Sequence, residues 1–178
     1  MRVTVVVGNP KPLSRTRLVG EEVARQAIAA AGYTGPVELQ VVELGELAGE
    51  LFDFASPRVK AVVDQVSASD LVVVASPTYK ATYTGLLKAF LDWMGQTTLA
   101  GAVAVPVMVG GNPVHALAPE VFLRPLLVEV GAMTPTRGLF MLEGDLDRLD
   151  EVVAGWAAGA GEALRRTLGG APGSRARA

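Results

Sequence analysis

Three valine-rich runs of strand length constrain this chain more than any other feature: VTVVV at 3–7, LVVVA at 71–75 and VAVPVMV at 103–109. A strand with one wet face alternates apolar and polar residues. Continuous apolar runs instead suit strands covered on both faces, as in a parallel sheet between layers of helices. All three fall far short of the ~20 residues that cross a bilayer. Helical patterns lie between them. Residues 15–31 place Val19, Val23, Ala24, Ala27 and Ile28 on one stripe, with Gly32 as a stop, and residues 57–67 open on Pro57. The remaining pattern predicts strands at 2–7, 37–42, 71–75, 102–109 and 136–142. It predicts further helices at 85–94, 115–130 and 146–168. The second strand, less apolar than the others, reads as an edge.

Strict β-α alternation demands a doubly wound parallel sheet with right-handed crossovers. Five strands in a chain of 178 residues predict one α/β domain over 1–168 with flavodoxin-like strand order 2-1-3-4-5. Ligands of such sheets bind at the carboxyl ends of strands 1 and 3. The Gly/Ala/Arg/Ser/Pro stretch 169–178 is expected to be a disordered tail. Pro106 removes a ladder donor midway through strand 4, so a bulge or local displacement is expected there.

Charge and composition narrow the function. A net charge of −2 and a sequence pI near 5.5 argue against nucleic acid and against a small electron carrier docking by a strongly charged surface. The absence of cysteine excludes disulfides, iron–sulfur clusters, thiolate zinc sites and cysteine nucleophiles. A single histidine and no paired-carboxylate motif argue against a catalytic metal. The chain enters its first strand at once, leaving no room for a signal peptide, and a cytoplasmic protein is expected.

Between strand 1 and helix 1 lies Gly8-Asn9-Pro10-Lys11-Pro12-Leu13-Ser14-Arg15-Thr16. Lys11, Arg15 and Arg17 crowd the helix start, and no carboxylate follows until Glu21. Helix N-termini are already locally positive, so this charge is unfavourable unless an anion meets it. A phosphate would do so, with the Ser14 and Thr16 hydroxyls and first-turn amides as donors. The loop lacks both the P-loop string and Gly-x-Gly-x-x-Gly, so a mononucleotide fits better than a dinucleotide. A plain reading also stands: Ser14 as an N-cap with solvated arginines.

Two further loops share that sheet edge in the expected order. Ser76-Pro77-Thr78-Tyr79-Lys80-Ala81-Thr82-Tyr83-Thr84-Gly85 follows strand 3, and Gly110-Gly111-Asn112-Pro113-Val114-His115 follows strand 4. Together they suit a phosphate-bearing planar heterocycle, with FMN the obvious candidate. A receiver domain of the same topology is excluded, because strand 1 ends in Val7-Gly8-Asn9 and strand 3 in Ala75-Ser76-Pro77 without the acidic residues it requires. His115 reads as a cap or packing residue; Tyr79 and Tyr83 could line the ligand or cover helix 3, with Tyr79 read as a site residue from its loop position. Glu43 at the end of strand 2 could mimic a ribose-binding acid, but without the glycine fingerprint it reads as coincidence.

At these loops the chain resembles the NADPH-dependent FMN reductase family. The resemblance rests on Ser76 to Lys88, on Gly110-Gly111 with His115 and Leu117, on Leu123-Arg124-Pro125, and on Gly8-Asn9-Pro10 with Ser14-Arg15-Thr16. It covers about residues 3–143 and looks most like reductases that supply reduced FMN to alkanesulfonate-type monooxygenases. The resemblance implies hydride transfer from NADPH or NADH to flavin N5, with no acid–base residue required of the protein. Ser14, Arg15 and Thr16 would hold the FMN phosphate, with Asn9 in the same cofactor-binding set. Pro77, Thr78, Tyr79 and Lys80 would border the ring, and Gly110 and Gly111 would approach its polar edge. Some flavin-supplying members carry a tyrosine in the helix after the third loop, tied to a helix bulge. Here that stretch is Glu120-Val121-Phe122. A tight-FMN quinone or azo reductase, an FMN-binding electron carrier without nicotinamide turnover, and a flavin-binding regulatory module are the alternatives. Leu91, Trp93 and Met94, with Lys88 and Asp92, read as an interface face and predict a homodimer or homotetramer.

The loop assignment carries its own test. Arg15→Ala is expected to weaken FMN binding by about 1.5–3 kcal/mol, the range for a hydrogen bond to a charged group. An unchanged affinity in a flavin-fluorescence titration would remove the phosphate assignment.

Overall fold

The computed structural model describes residues 1–169. Its five parallel strands, β1 (Arg2–Val7), β2 (Glu38–Glu43), β3 (Leu71–Pro77), β4 (Val103–Gly110) and β5 (Leu139–Leu142), take the order β2-β1-β3-β4-β5. Helices α1 (Arg15–Ala30), α2 (Pro57–Ser67), α3 (Gly85–Leu91), α4 (Arg124–Glu129) and α5 (Leu149–Leu168) complete the alternation. All seven residues of β3 and all eight of β4 are buried. Their alternate side chains divide between two cores. On one face Val72, Val74, Ala104 and Met108 pack with Val59 of α2, Phe90 of α3 and Leu127 of α4. On the other, Val73, Ala75, Val105 and Val107 pack with Val19 and Val23 of α1 and Leu164 of α5. Among the described residues no helix is long and apolar enough to cross a membrane. The expected tail lies, from residue 170 on, outside the described residues.

Pro106 corrects one expectation. The β3–β4 register runs unbroken through Val74↔Pro106, without a bulge. The Ala104 amide and Ala102 carbonyl both bond Met133, at 2.7 and 2.9 Å, so the nitrogen of Pro106 faces the same flank. There the ladder with β5 begins only at Val107↔Leu139. The missing donor therefore falls in the gap between Met133 and β5, where no strand awaits it.

The expected helix at 115–130 is likewise broken. The chain forms a 3-10 turn at Pro113–His115, a π-helical turn at Pro119–Leu123, and only then α4. Pro125 supplies the reason. It has no N–H for the Val121 carbonyl, and its ring crowds that carbonyl. The helix widens instead, and the Arg124 N–H bonds Pro119 five residues back. Smaller shifts also occur: α3 stops at Leu91, β5 starts at Leu139, and a 3-10 turn at Glu143–Arg148 precedes α5.

Helix α1 lies close on the sheet at Gly20, where an added Cβ would stand 2.7 Å from Val5 Cγ1 and 3.2 Å from Ala75 Cβ. Gly20→Val is therefore expected to destabilise the fold by about 1–3 kcal/mol through overpacking. Urea unfolding would read this as a lowered midpoint with an unchanged slope.

Candidate functional site

The carboxyl ends of the adjacent strands β1, β3 and β4 bring all ten sequence-selected residues to one edge. Asn9 and Ser14 lie in the β1–α1 loop, and Arg15 and Thr16 open α1; Pro77, Thr78, Tyr79 and Lys80 follow or end β3; Gly110 and Gly111 end and follow β4. Hydrogen bonds tie the edge together. The Thr84 hydroxyl donates to the Gly8 carbonyl at 2.6 Å and accepts the Leu87 N–H at 3.1 Å, capping α3 while joining two loops. Ser76, fully buried, accepts the Thr84 N–H at 3.1 Å. The Thr78 N–H bonds the Val109 carbonyl at 2.7 Å, which holds the second loop to the third.

Within the first loop the buried Asn9 is a strut. Its amide donates to Thr16 Oγ1 at 3.0 Å, and its Oδ1 accepts the Lys11 N–H at 2.9 Å. Ser14 is the N-cap of α1, accepting the Arg17 N–H at 3.3 Å. The first intrahelical bond is Leu18 N–H to the Ser14 carbonyl, so the Arg15 and Thr16 amides precede the ladder. Two of the three cations at this helix start, Arg15 and Arg17, meet carboxylates within the chain, which the sequence alone does not show. Glu43 accepts from Arg17 Nη1 at 2.8 Å, and Glu143 stands 3.4 Å from Arg15 Nη2. Both carboxylates come from strand ends distant in sequence. Glu43, with Glu21 on α1, pushes the Arg17 guanidinium further above its already high pKa.

Glu43 is thus no coincidence at the strand end, and no ribose acid is needed to explain it. It is 8 % exposed, and its Oε1 also accepts the Leu13 N–H at 3.2 Å. Leu13 has φ of 49°, and Lys80 and Ala81 have 52° and 71°. These are the non-glycine residues of positive φ among the described residues, and all three lie in the two candidate loops. Left-handed backbone costs such residues energy and collects where a loop is shaped for a ligand. Lys80-Ala81 form the two-residue tip between Tyr79 and Thr82, whose backbones pair at 2.9 and 3.3 Å.

Gly110 is buried, and a Cβ there would lie 2.9 Å from Phe140 and 3.1 Å from Thr78 Oγ1. Its missing side chain makes room for Thr78, whose buried hydroxyl has no partner among the described residues. A buried hydroxyl without a partner is costly unless a ligand satisfies it. Loop amides, two hydroxyls, an exposed arginine and this unpaired threonine can together hold an anion and the polar edge of a flat ring. The residues present fit FMN.

Asn112, not His115, caps the turn after β4, accepting the Val114 N–H at 3.0 Å. Tyr79 is exposed, while Tyr83 packs on the core. The interface expected on α3 has another explanation. Leu91 and Met94 are buried in the chain's own core, and the Trp93 indole donates to the Leu51 carbonyl at 2.8 Å and packs on Phe54. Lys88 pairs with Asp92 at 2.5 Å. Exposed apolar side chains lie at Phe54 beside Trp93 and at Phe52, and elsewhere at Val114, Leu117, Val121 and Phe122. Of the supporting residues missed in the sequence, Thr84 before Gly85 carries a visible cap signal. The sequence marks Glu43 only as an acid at a strand end and Glu143 not at all, since only the fold brings them to the loop.

The π-turn is present without a tyrosine. Glu120 and Arg124 clamp it: Arg124 Nε donates to Glu120 Oε2 at 2.6 Å, and its other nitrogens reach the carbonyls of Thr134 and Thr136. Glu120 Oε1 also accepts the Gly138 N–H at 2.5 Å. The segment before β5 is thereby fastened to the turn.

Residues 1–147 match the model of a family described as NADPH-dependent FMN reductase. An FMN reductase (NADPH) of Pseudomonas aeruginosa is 32% identical over 151 residues, covering 82% of this chain and 79% of that protein. An NADH-dependent FMN reductase of Pseudomonas putida is 32% identical over 142 residues, covering 79% of this chain and 76% of its own. Among solved structures, an apo NADH:FMN oxidoreductase superimposes with a TM-score of 0.82 at 31% identity, over 98% of this chain and 93% of that one.

The clamp predicts a pH dependence. The Arg124 hydrogen bond, aided by the Gly138 amide and opposed by desolvation, holds Glu120 below the ordinary carboxylate range. A lowered folded pKa contributes stability above the unfolded value, which is lost as pH falls through the folded value. Glu120→Gln is therefore expected to be less stable than the parent at neutral pH. The difference should shrink below about pH 4, as read by thermal unfolding across pH.

Proposed function

The chain belongs to the NADPH-dependent FMN reductase family, and from that premise we propose that it transfers a hydride from NADPH or NADH to FMN and supplies the reduced flavin to a separate monooxygenase. The observation that carries this reading is the meeting of the family match with one loop edge. That edge holds both an exposed arginine at a helix start and a threonine whose buried hydroxyl has no partner among the described residues. The similarity of the loops to reductases that serve alkanesulfonate-type monooxygenases supports the second half of the reading.

The residues divide the work by position. Arg15 and the α1 amides attract the phosphate. Ser14 and Thr16, whose oxygens already accept bonds from Arg17 and Asn9, still have hydroxyl hydrogens to donate. Pro77, Thr78, Tyr79 and Lys80 border the ring, and Thr78 offers its free hydroxyl to a ring heteroatom. Gly111, exposed and without a side chain, leaves the third side open for close approach, while the space beside Gly110 is taken by Thr78 and Phe140. When bound, FMN supplies the hydride-accepting ring, and the chain supplies orientation and hydrogen bonds. The protein works in the cytoplasm as a homodimer or homotetramer. The apolar side chains at Phe52, 82 % exposed, and Val114, 74 % exposed, support a second copy of the chain.

Oxidation of NADH and NADPH by flavin-stripped protein, with and without FMN, tests the reading. Turnover that saturates in added FMN and releases it in reduced form is expected. FMN binding without nicotinamide oxidation would replace the reductase with a carrier or sensor, and neither binding nor turnover would overturn the site.

A further inference from the structure

Two carboxylates stand against the first loop, and they are placed differently. Glu43 is buried and fastens the loop, taking the Leu13 amide and the Arg17 guanidinium. Glu143, just past β5, is 42 % exposed, and Arg15 opposite it is 60 % exposed. Their 3.4 Å contact is the one ion pair that either side chain makes among the described residues. Most other ion pairs of the described residues join positions three or four apart on a helix. This one crosses the carboxyl edge of the sheet, from the first residue of α1 to the residue after β5. Glu143 also reaches the third loop: a Cβ at Gly111 would lie 3.8 Å from its Oε2. The carboxylate thus sits between the arginine read as the phosphate ligand and the glycine read as a flavin neighbour.

We propose that Glu143 is an internal competitor for Arg15 that lowers the affinity for phosphate-bearing flavins. The inference rests on the flavin reading above and adds to it a residue that sets how firmly FMN is retained. Without flavin, the carboxylate occupies the guanidinium. A flavin phosphate must displace it, and the displaced carboxylate then remains as a like charge nearby. Both effects oppose retention of FMN, and neither acts on riboflavin, which has no phosphate. An exposed ion pair is weak enough to exchange readily, which suits a flavin that arrives and leaves. The Arg17–Glu43 pair could not act this way, because opening it would strand the buried Glu43 carboxylate.

The test is a set of FMN and riboflavin titrations on the parent protein, Glu143→Gln, Arg15→Ala and the double variant. Glu143→Gln is expected to bind FMN about two- to fivefold more tightly, the span that exposed ion pairs provide. Riboflavin affinity should not change, and the FMN gain should narrow at high salt. In the Arg15→Ala background the same substitution should lose most of its effect, since the pair is then already broken. Such a gain in affinity for one flavin alone is not what a general loss of structure produces. Unchanged or weaker FMN binding by Glu143→Gln, or an equal shift for riboflavin, would overturn the competitor while leaving the flavin site in place if the parent binds FMN. A parent that does not bind FMN would overturn the flavin reading, and the competitor with it.

Discussion

Burial of β1, β3 and β4 from both faces is the constraint on which the rest depends. Strands without a wet face must have helices above and below, and parallel neighbours require those helices as crossovers. Val73 and Val105 pack with α1 and α5, whereas Val74 and Met108 pack with α2, α3 and α4. Because all five strands run parallel, every strand delivers its following loop to the same edge, and the hand of each crossover decides only which face its helix covers. The candidate site is a consequence of that geometry: three loops far apart in sequence become neighbours because their strands pair in register.

Having been brought together, the loops are made rigid by a few buried polar contacts. Thr84 links the first loop to α3, Ser76 holds Thr84, and the Thr78 amide holds β3 to β4. The left-handed residues have their own ties: Glu43 accepts the Leu13 N–H, and the Tyr79–Thr82 backbone pair closes the turn at Lys80 and Ala81. Local strain of this kind persists only where the surroundings over-determine it. The same rigidity leaves the Thr78 hydroxyl without a partner, a group better satisfied by a ligand than by the protein.

Charge at the edge follows a division between buried and exposed. The buried Glu43 acts on Arg17 and the loop backbone and so belongs to the scaffold. The exposed Glu143 meets Arg15 across solvent-accessible space, where an ion pair is held loosely. On the far side of β4, the Glu120–Arg124 clamp holds a π-turn whose cause is covalent, the missing N–H of Pro125. The turn therefore does not depend on any particular aromatic side chain within it.

The sequence by itself determined the sheet order, the helix faces and the location of the three loops. Those follow from periodicity and from glycine, proline and hydroxyl signals, all local properties of the chain. Ser14 as a cap and Pro57 at a helix start were legible in the same way. Pro125 was legible in principle, as a helix breaker inside an apolar stretch that otherwise suggested one helix at 115–130. Only the tertiary structure decided which charges meet. Glu43 and Glu143 reach the first loop because β2 and β5 end at the same edge, a relation that no local pattern encodes. It also decided that Trp93 and Met94 are covered by the chain itself, and that Pro106 sits in a full strand without a bulge. In each case the outcome depends on what lies across a gap in space, and side-chain periodicity carries no record of that.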